Sequence, residues 1–381
     1  MELKGFWTAD NTVGIRNRVG VISLSVFSNV ATQRISNAVE GTIALIHPHG
    51  RAEIGVNRER LHHNLIGHAL NPNLQSVLLV GYEAKTTERY TQELRARTKK
   101  RIESVTVLEL GTIDAVRVGT KLALELSSES SEVTREPMDF ADLTVGVKCG
   151  SSDATSGIAS NPAVGVAVDK IVNHGGKAIF SETTEVLGAE HILAKRAINQ
   201  VVASKIVTAV KNNENLALSL GVDLMGVNPV PDNIEGGIST IEEKSLGAIR
   251  KTGTSKIQDV LQLGQLPKSP GLYFLDYPSA AQEVLTALAS TGCQAILFST
   301  GLGNPSGTPV CPVIKVTGNE RTMKRIPEHI DVDVSEIITL NRTYEEAGDK
   351  IFQYLIKVIN GKLTKSELLK HNEFSPVPVG L

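Results

Sequence analysis

A cation, a thiol, several hydroxyls and a carboxylate follow one another in Lys148-Cys149-Gly150-Ser151-Ser152-Asp153-Ala154-Thr155-Ser156. The run comes straight after the apolar stretch Leu143–Val147, which reads as a strand. In an open α/β sheet, a loop at the carboxyl end of a strand presents side chains and backbone N–H groups to a crevice, where such sheets bind ligands. A purely structural turn is more usually built from Asn, Asp, Gly and Pro. The composition of this loop therefore points to chemistry.

Four further loops are dense with polar groups. His47-Pro48-His49-Gly50-Arg51 follows the apolar Ile43–Ile46, and Ser181-Glu182-Thr183-Thr184-Glu185 follows Ala178–Phe180, with Glu190-His191 in the helix behind it. Ser299-Thr300-Gly301-Leu302-Gly303-Asn304 follows Ile296–Phe298, and Asn233-Ile234-Glu235-Gly236-Gly237 lies in an irregular stretch. Strands of one parallel sheet point their carboxyl ends the same way, so loops of one sheet are expected to converge. Each loop alone is ambiguous. His47 and His49 suit either a metal or a capped loop; Glu182 suits a base, a metal ligand or a helix cap. Thr300-Gly-x-Gly resembles a phosphate cradle without the P-loop lysine. Glu242-Glu243-Lys244 reads as a helix start, its acids favoured by the dipole, and Cys293 and Cys311 read as small buried hydrophobes. No Gly-x-Ser-x-Gly elbow, dinucleotide fingerprint or Walker motif accompanies them. The remaining carboxylates, histidines, lysines and hydroxyls suit metal-assisted proton abstraction beside a carboxylate, with expulsion of a β-leaving group.

The elements that must hold these loops alternate strand and helix. Arg18–Phe27, Thr42–Ile46, Gln75–Tyr82 and Val105–Leu110 read as strands, separated by helices over 29–39 and 86–98 and followed by one from Thr112 to Leu126. Ser127 to Asp139 is polar and reads as a boundary or exposed linker. Beyond it, Leu143–Val147, Lys177–Phe180, Leu272–Leu275 and Ala295–Phe298 read as strands. Helices are expected over 162–173, 189–212, 280–290, 345–359 and 364–369. The pattern predicts an α/β protein of two domains with parallel, Rossmann-like sheets, 1–135 and 136–381, the second carrying the Lys148 motif.

Bulk composition narrows the function. A net charge of -2 argues against nucleic acid as a partner. Three cysteines with no paired spacing argue against a disulfide framework or structural zinc and favour a reducing compartment. No signal peptide or membrane-length apolar run is read, so a soluble cytoplasmic protein is expected.

Taken in order, several motifs resemble the altronate/galactarate dehydratase family. They are Val13-Gly14-Ile15-Arg16-Asn17, Lys148-Cys149-Gly150-x-Ser152-Asp153, Asn161-Pro162-Ala163-Val164-Gly165, Ser181-Glu182-Thr183, Gly188-Ala189-Glu190-His191, Thr300-Gly301-x-Gly303-Asn304 and Pro312-Val313-Ile314-Lys315. His47-x-x-Gly50-Arg51, Asn233-Ile234-Glu235-Gly236-Gly237 and His329-Ile330-Asp331-Val332-Asp333 resemble one branch, the large subunits of (2R)-sulfolactate sulfo-lyases. The family's dehydratases usually have cysteine where this chain has Phe27 and Arg51, and a Gly-Cys pair where it has His68-Ala69. The resemblance implies a lyase that abstracts the C2 proton of a small anionic 2-hydroxy acid and expels sulfite or, in a sugar-acid dehydratase, water. A non-catalytic subunit that has lost its metal site is the alternative. It also implies a divalent metal, iron(II) by family with Mg²⁺ or Mn²⁺ compatible, a separate small subunit that closes over substrate, and a homo-oligomer. Lys148, Glu182, Cys149 and Lys315 are then the expected catalytic residues. Arg51, Ser151, Ser152, Thr300, Gly301, Asn304 and Asn233 are expected to bind substrate, with Arg51 on a sulfonate. His47, Asp153 and His191 are the expected metal ligands.

Overall fold

The computed structural model describes residues 2–278 and 281–378. Two parallel sheets organise them, as the alternating pattern predicts. The first has the order Thr42–Leu45, Arg18–Ser23, Leu74–Gly81, Arg101–Thr106. The second has seven strands in the order Ile257–Leu261, Gly271–Leu275, Lys177–Phe180, Thr144–Cys149, Ala295–Ser299, Val313–Thr317, Val332–Asp333. Its central strands are buried along their whole length. Helices covering both faces of a parallel sheet demand this, which is why these strands read as continuous apolar runs.

One apolar cluster spans both sheets. Helix Gly55–Leu70 packs on helix Ala281–Ser290, and Leu65 and Ile66 join Val284, Leu285 and Leu288 in a single apolar cluster. At Gly67 a Cβ would stand 2.3 Å from the Ser290 carbonyl oxygen, so the close approach of the two helices requires glycine there.

Several elements differ from their expected form. The polar 127–139 stretch is pinned: helix Val107–Ser131 extends into it, and Glu136–Met138 pairs antiparallel with Leu3–Gly5. Arg135 fastens it by donating to the carbonyls of Lys4 (2.8 Å) and Ile359 (2.7 Å). The long helix expected over 189–212 is two, Glu190–Ala194 and Gln200–Ser219, because Asn199 caps the second by accepting from Val202 N at 3.0 Å. Helix Gly55–Leu70 and strands Ile257–Leu261 and Val313–Thr317 were not foreseen. Of the helix expected over 280–290, Ala280 lies outside the described residues.

Candidate active site

Chain direction and strand order together define the crevice. Thr144–Cys149 is the first strand of the large sheet; the chain next forms Lys177–Phe180 on one side of it and later crosses to Ala295–Ser299 on the other. Such a reversal opens a crevice at the carboxyl ends of the strands. Lys148 and Cys149 end the first strand, and Glu182 lies just past the second.

Glu182 reaches back because its backbone is left-handed (φ 75°, ψ 57°), a conformation that a non-glycine residue adopts only under constraint. The constraint is visible on either side. Ser181 Oγ donates to Leu275 O at 2.9 Å, and Thr183 Oγ1 bonds Asp276 Oδ1 at 3.0 Å. Lys148 Nζ then donates to Glu182 Oε1 at 2.6 Å and to its neighbour's carbonyl, Cys149 O, at 2.7 Å, 5.5 Å above the Phe298 ring centroid.

A second lysine completes the pair. Lys251 Nζ lies 2.9 Å from Glu182 Oε2 and donates to Cys149 Sγ at 3.3 Å. Side-chain exposures are 2% for Lys148, 0% for Glu182 and 3% for Lys251, so the charges answer one another and not water. A third lysine, Lys244, holds Glu185 Oε1 at 3.1 Å, and Glu185 Oε2 lies 3.8 Å from Cys149 Sγ. Burial, then the Glu182 carboxylate, pushes the Cys149 thiol up to about 11, so it stays protonated near neutrality. Burial pulls Lys251 down, but the Cys149 sulfur, Glu182 and Glu185 outweigh it and hold the ammonium above its ordinary value. Burial likewise disfavours a Glu185 carboxylate, yet Lys244, Lys148 and Lys251 keep it below the usual range.

Lys251 is placed by the Asn161-Pro162-Ala163-Val164-Gly165 motif. Helix Asn161–Asn173 brings Gly165 so close to the turn Arg250–Thr252 that a Cβ there would stand 2.3 Å from Arg250 O. Asp169, one turn on, then accepts from the backbone N–H groups of Thr254 (2.7 Å) and Ser255 (2.8 Å).

The remaining expected residues fall into two groups. Asn233 joins the network: its Oδ1 accepts from Lys244 Nζ at 3.1 Å and its Nδ2 donates to Ser152 O at 2.9 Å. Ser152, Asp153, Asn161, Lys244 and Arg250 line a cavity of about 260 Å³ beside it. The Ser151 and Thr300 loops are tied to each other. Ser151 O accepts from Gly301 N (3.2 Å) and Leu302 N (2.9 Å), and Asn304 Nδ2 donates to Ser151 Oγ at 3.2 Å. Thr300 Oγ1 accepts from Gly303 N and Asn304 N, both at 3.0 Å, closing its own turn. Lys315 lies within a strand, and its ammonium serves Pro305 O (2.7 Å) and Ser366 Oγ (2.9 Å), not Glu182; burial pulls it down to about 8.

The three expected metal ligands are not brought together. Asp153 spends both oxygens on its surroundings, Oδ1 on Thr155 Oγ1 (2.6 Å) and Ser156 N (3.0 Å), Oδ2 on Asn319 Nδ2 (2.7 Å). His47 has both ring nitrogens engaged, Nε2 with Ser23 O at 3.1 Å and Nδ1 with His49 N at 3.2 Å. His191 is exposed on its short helix. Arg51 belongs to the smaller sheet's loops, over half exposed, paired with Glu83 at 3.1 Å and resting over Tyr82. Among the described residues the group of three whose donor atoms could surround an ion is Cys149, Glu182 and Glu185, within 4.8 Å of one another. Its donor types suit a divalent cation, but its charge is already answered: Lys148, Lys251 and Lys244 occupy the same carboxylates, and the thiol keeps its proton. A metal does not fit this arrangement without displacing an ammonium.

The buried histidines make a stability prediction. Burial pushes His47 and His68 down to about 4, and both rings pack against Phe374. The unfolded chain therefore binds more protons between about pH 6.5 and 4, and folding stability falls as pH drops through that window. In His68→Met the acid loss measured by urea unfolding should shrink, by up to roughly 3 kcal/mol at its lower end. An unchanged pH dependence would show that His68 is not a source of the acid sensitivity.

Sequence comparison places this geometry among known proteins. Residues 140–381 match the D-galactarate/altronate dehydratase C-terminal family model, and residues 5–131 match the D-galactarate dehydratase/altronate hydrolase second-domain model. The chain is 39% identical to the (2R)-sulfolactate sulfo-lyase subunit beta of Chromohalobacter salexigens, with 98% of each chain covered. It is 30% identical to altronate dehydratase of Bacillus subtilis over 99% of this chain and 77% of that one. To the L-threo-forming galactarate dehydratase of Escherichia coli it is 33% identical over 83% of this chain and 62% of that one. No helix among the described residues is long and apolar enough to cross a membrane. From motif order, two matched family models and similarity across nearly its whole length, the chain belongs to the D-galactarate/altronate dehydratase family.

Proposed function

We propose that the chain is the large subunit of a lyase that converts (2R)-3-sulfolactate to pyruvate and sulfite. The observation that carries this reading is the buried Lys148–Glu182–Lys251 array at the strand reversal. A base takes the C2 proton, and the electron pair passes into the carboxylate as an enediolate. It returns to form the C2–C3 double bond as the C3–sulfur bond breaks, its pair leaving with sulfite. The enol then tautomerises to pyruvate. Lys148 and Glu182 carry the proton transfer through their 2.6 Å hydrogen bond, and the two ammoniums face the developing negative charge where water cannot screen it. Glu182 positions both lysines by offering each a separate oxygen.

The substrate enters beside Lys244, which both lines the 260 Å³ cavity and holds Glu185. Arg51 supplies the further cationic contact that a sulfonate needs, exchanging its surface pairing with Glu83 for the ligand. The partner is a small subunit closing the site, and the assembly is a cytoplasmic homo-oligomer of such pairs. The second reading, dehydration of a sugar acid to a 2-keto-3-deoxy acid, rests on similarity to the altronate and galactarate dehydratases.

One assay separates the two. The chain with its small subunit is offered sulfolactate beside altronate and galactarate, and sulfite and 2-keto acid are measured. Sulfite release is expected, with Arg51→Ala raising KM for sulfolactate about tenfold or more, the loss of a charge-assisted contact of roughly 1.5–3 kcal/mol. Conversion of a sugar acid without sulfite release would replace the lead reading with the second.

A further inference from the structure

We infer that Lys251 is the built-in cation of the Cys149–Glu182–Glu185 group, occupying the place that a divalent metal would take. Lys251 Nζ sits 2.9 Å from Glu182 Oε2 and 3.3 Å from Cys149 Sγ, so it touches two of the three candidate donors at once. It is also the member of the network delivered by dedicated backbone packing: Gly165 admits its turn, and Asp169 clamps the N–H groups that follow. A lysine that merely filled an empty metal site would not need that support.

Charge gives the same answer. Lys148 and Lys244 already hold one oxygen each of Glu182 and Glu185. With Lys251 the cluster carries one ammonium more than it has carboxylates. A divalent ion would have to enter beside three like charges in a water-excluded space, where repulsion is strong. Removing Lys251 uncovers the sulfur and leaves Glu182 Oε2 with the Cys149 N–H at 3.1 Å as a remaining partner, and brings the two carboxylates into balance with the two remaining lysines. The assignment rests on the reading of this cluster as the reaction centre, but its test uses no substrate.

The test is cobalt(II) titration of the full-length chain, followed by the thiolate-to-cobalt charge-transfer absorption. Wild-type protein should show no such band at neutral pH. Lys251→Met should acquire one, binding on the order of ten-fold or more tighter than wild type, and the Cys149→Ser change made on top should remove it. Lys251→Arg, which keeps the charge, should stay dark. Circular dichroism checks that each variant is folded, and Lys251→Gln serves if the methionine variant is insoluble. A band in wild-type protein that Lys251→Met does not strengthen would overturn the assignment. So would a folded Lys251→Met and Lys251→Gln that both fail to bind. Because the readout is metal binding, failure of the sulfite assay and failure of this assignment are separate results.

Discussion

Replacing Lys148 by methionine should reduce turnover by roughly 10²–10⁴-fold, the usual contribution of a positioned proton-transfer group, while the fold survives. The side chain is buried and accepts no other duty than its bonds to Glu182 Oε1 and Cys149 O. Methionine matches its length, lies on the Phe298 ring as readily, and leaves Glu182 paired with Lys251. The packing cost is small and the chemical cost is large. Steady-state rates of sulfite and 2-keto acid formation, beside thermal unfolding of the same samples, read both. Near-normal rates in a folded Lys148→Met would remove Lys148 from the chemistry and the motif from the centre of the reaction.

Glu182→Gln should fail in both respects. The carboxylate is wholly buried between two ammoniums, and an amide of the same shape offers no charge to either. Breaking a buried ion pair on one side leaves uncompensated charge and costs about 3–5 kcal/mol. Glu185 cannot take over, because Lys244 already holds it. The pH dependence carries a sign. Once Glu182 is neutral, the burial that pulls Lys251 down is opposed by Cys149 and Glu185 without it, so the folded-state value falls from its raised position. The stability that a raised Lys251 contributes below about pH 10.4 is then reduced, so the deficit against wild type should be present throughout the range from about pH 7 to 9.5. Urea unfolding across that range measures it. A Glu182→Gln protein as stable as wild type at pH 7 would mean that the lysines are not both charged in the folded state.

These expectations concern residues whose legibility in the sequence was uneven. Lys148, Cys149 and Glu182 were visible because each follows an apolar run that could only be a buried strand, and loops at such ends carry function. The parallel α/β organisation followed from the same alternation of strand and helix. Asn233 was visible as a polar residue in a glycine-rich stretch. Lys244 and Lys251 were not read as site residues. Lys244 lies in helix Ile241–Ile249 and Lys251 in the turn Arg250–Thr252 that follows it, and nothing in the local pattern distinguishes either from a solvated lysine.

Tertiary structure decided those cases, because strand order and helix packing bring together what chain distance separates. Lys251 is 102 residues from the Cys149 sulfur it touches. Its approach depends on one glycine in another helix. Conversely, His47 and Asp153 carry ligand-type side chains, and only their surroundings show the ring nitrogens and carboxylate oxygens already engaged. Residue type and strand periodicity are local properties, so the chain alone determined the sheet-forming pattern and the reactive loops. Which carboxylate meets which ammonium is a long-range property of charge compensation in a dry interior, and only the folded arrangement sets it.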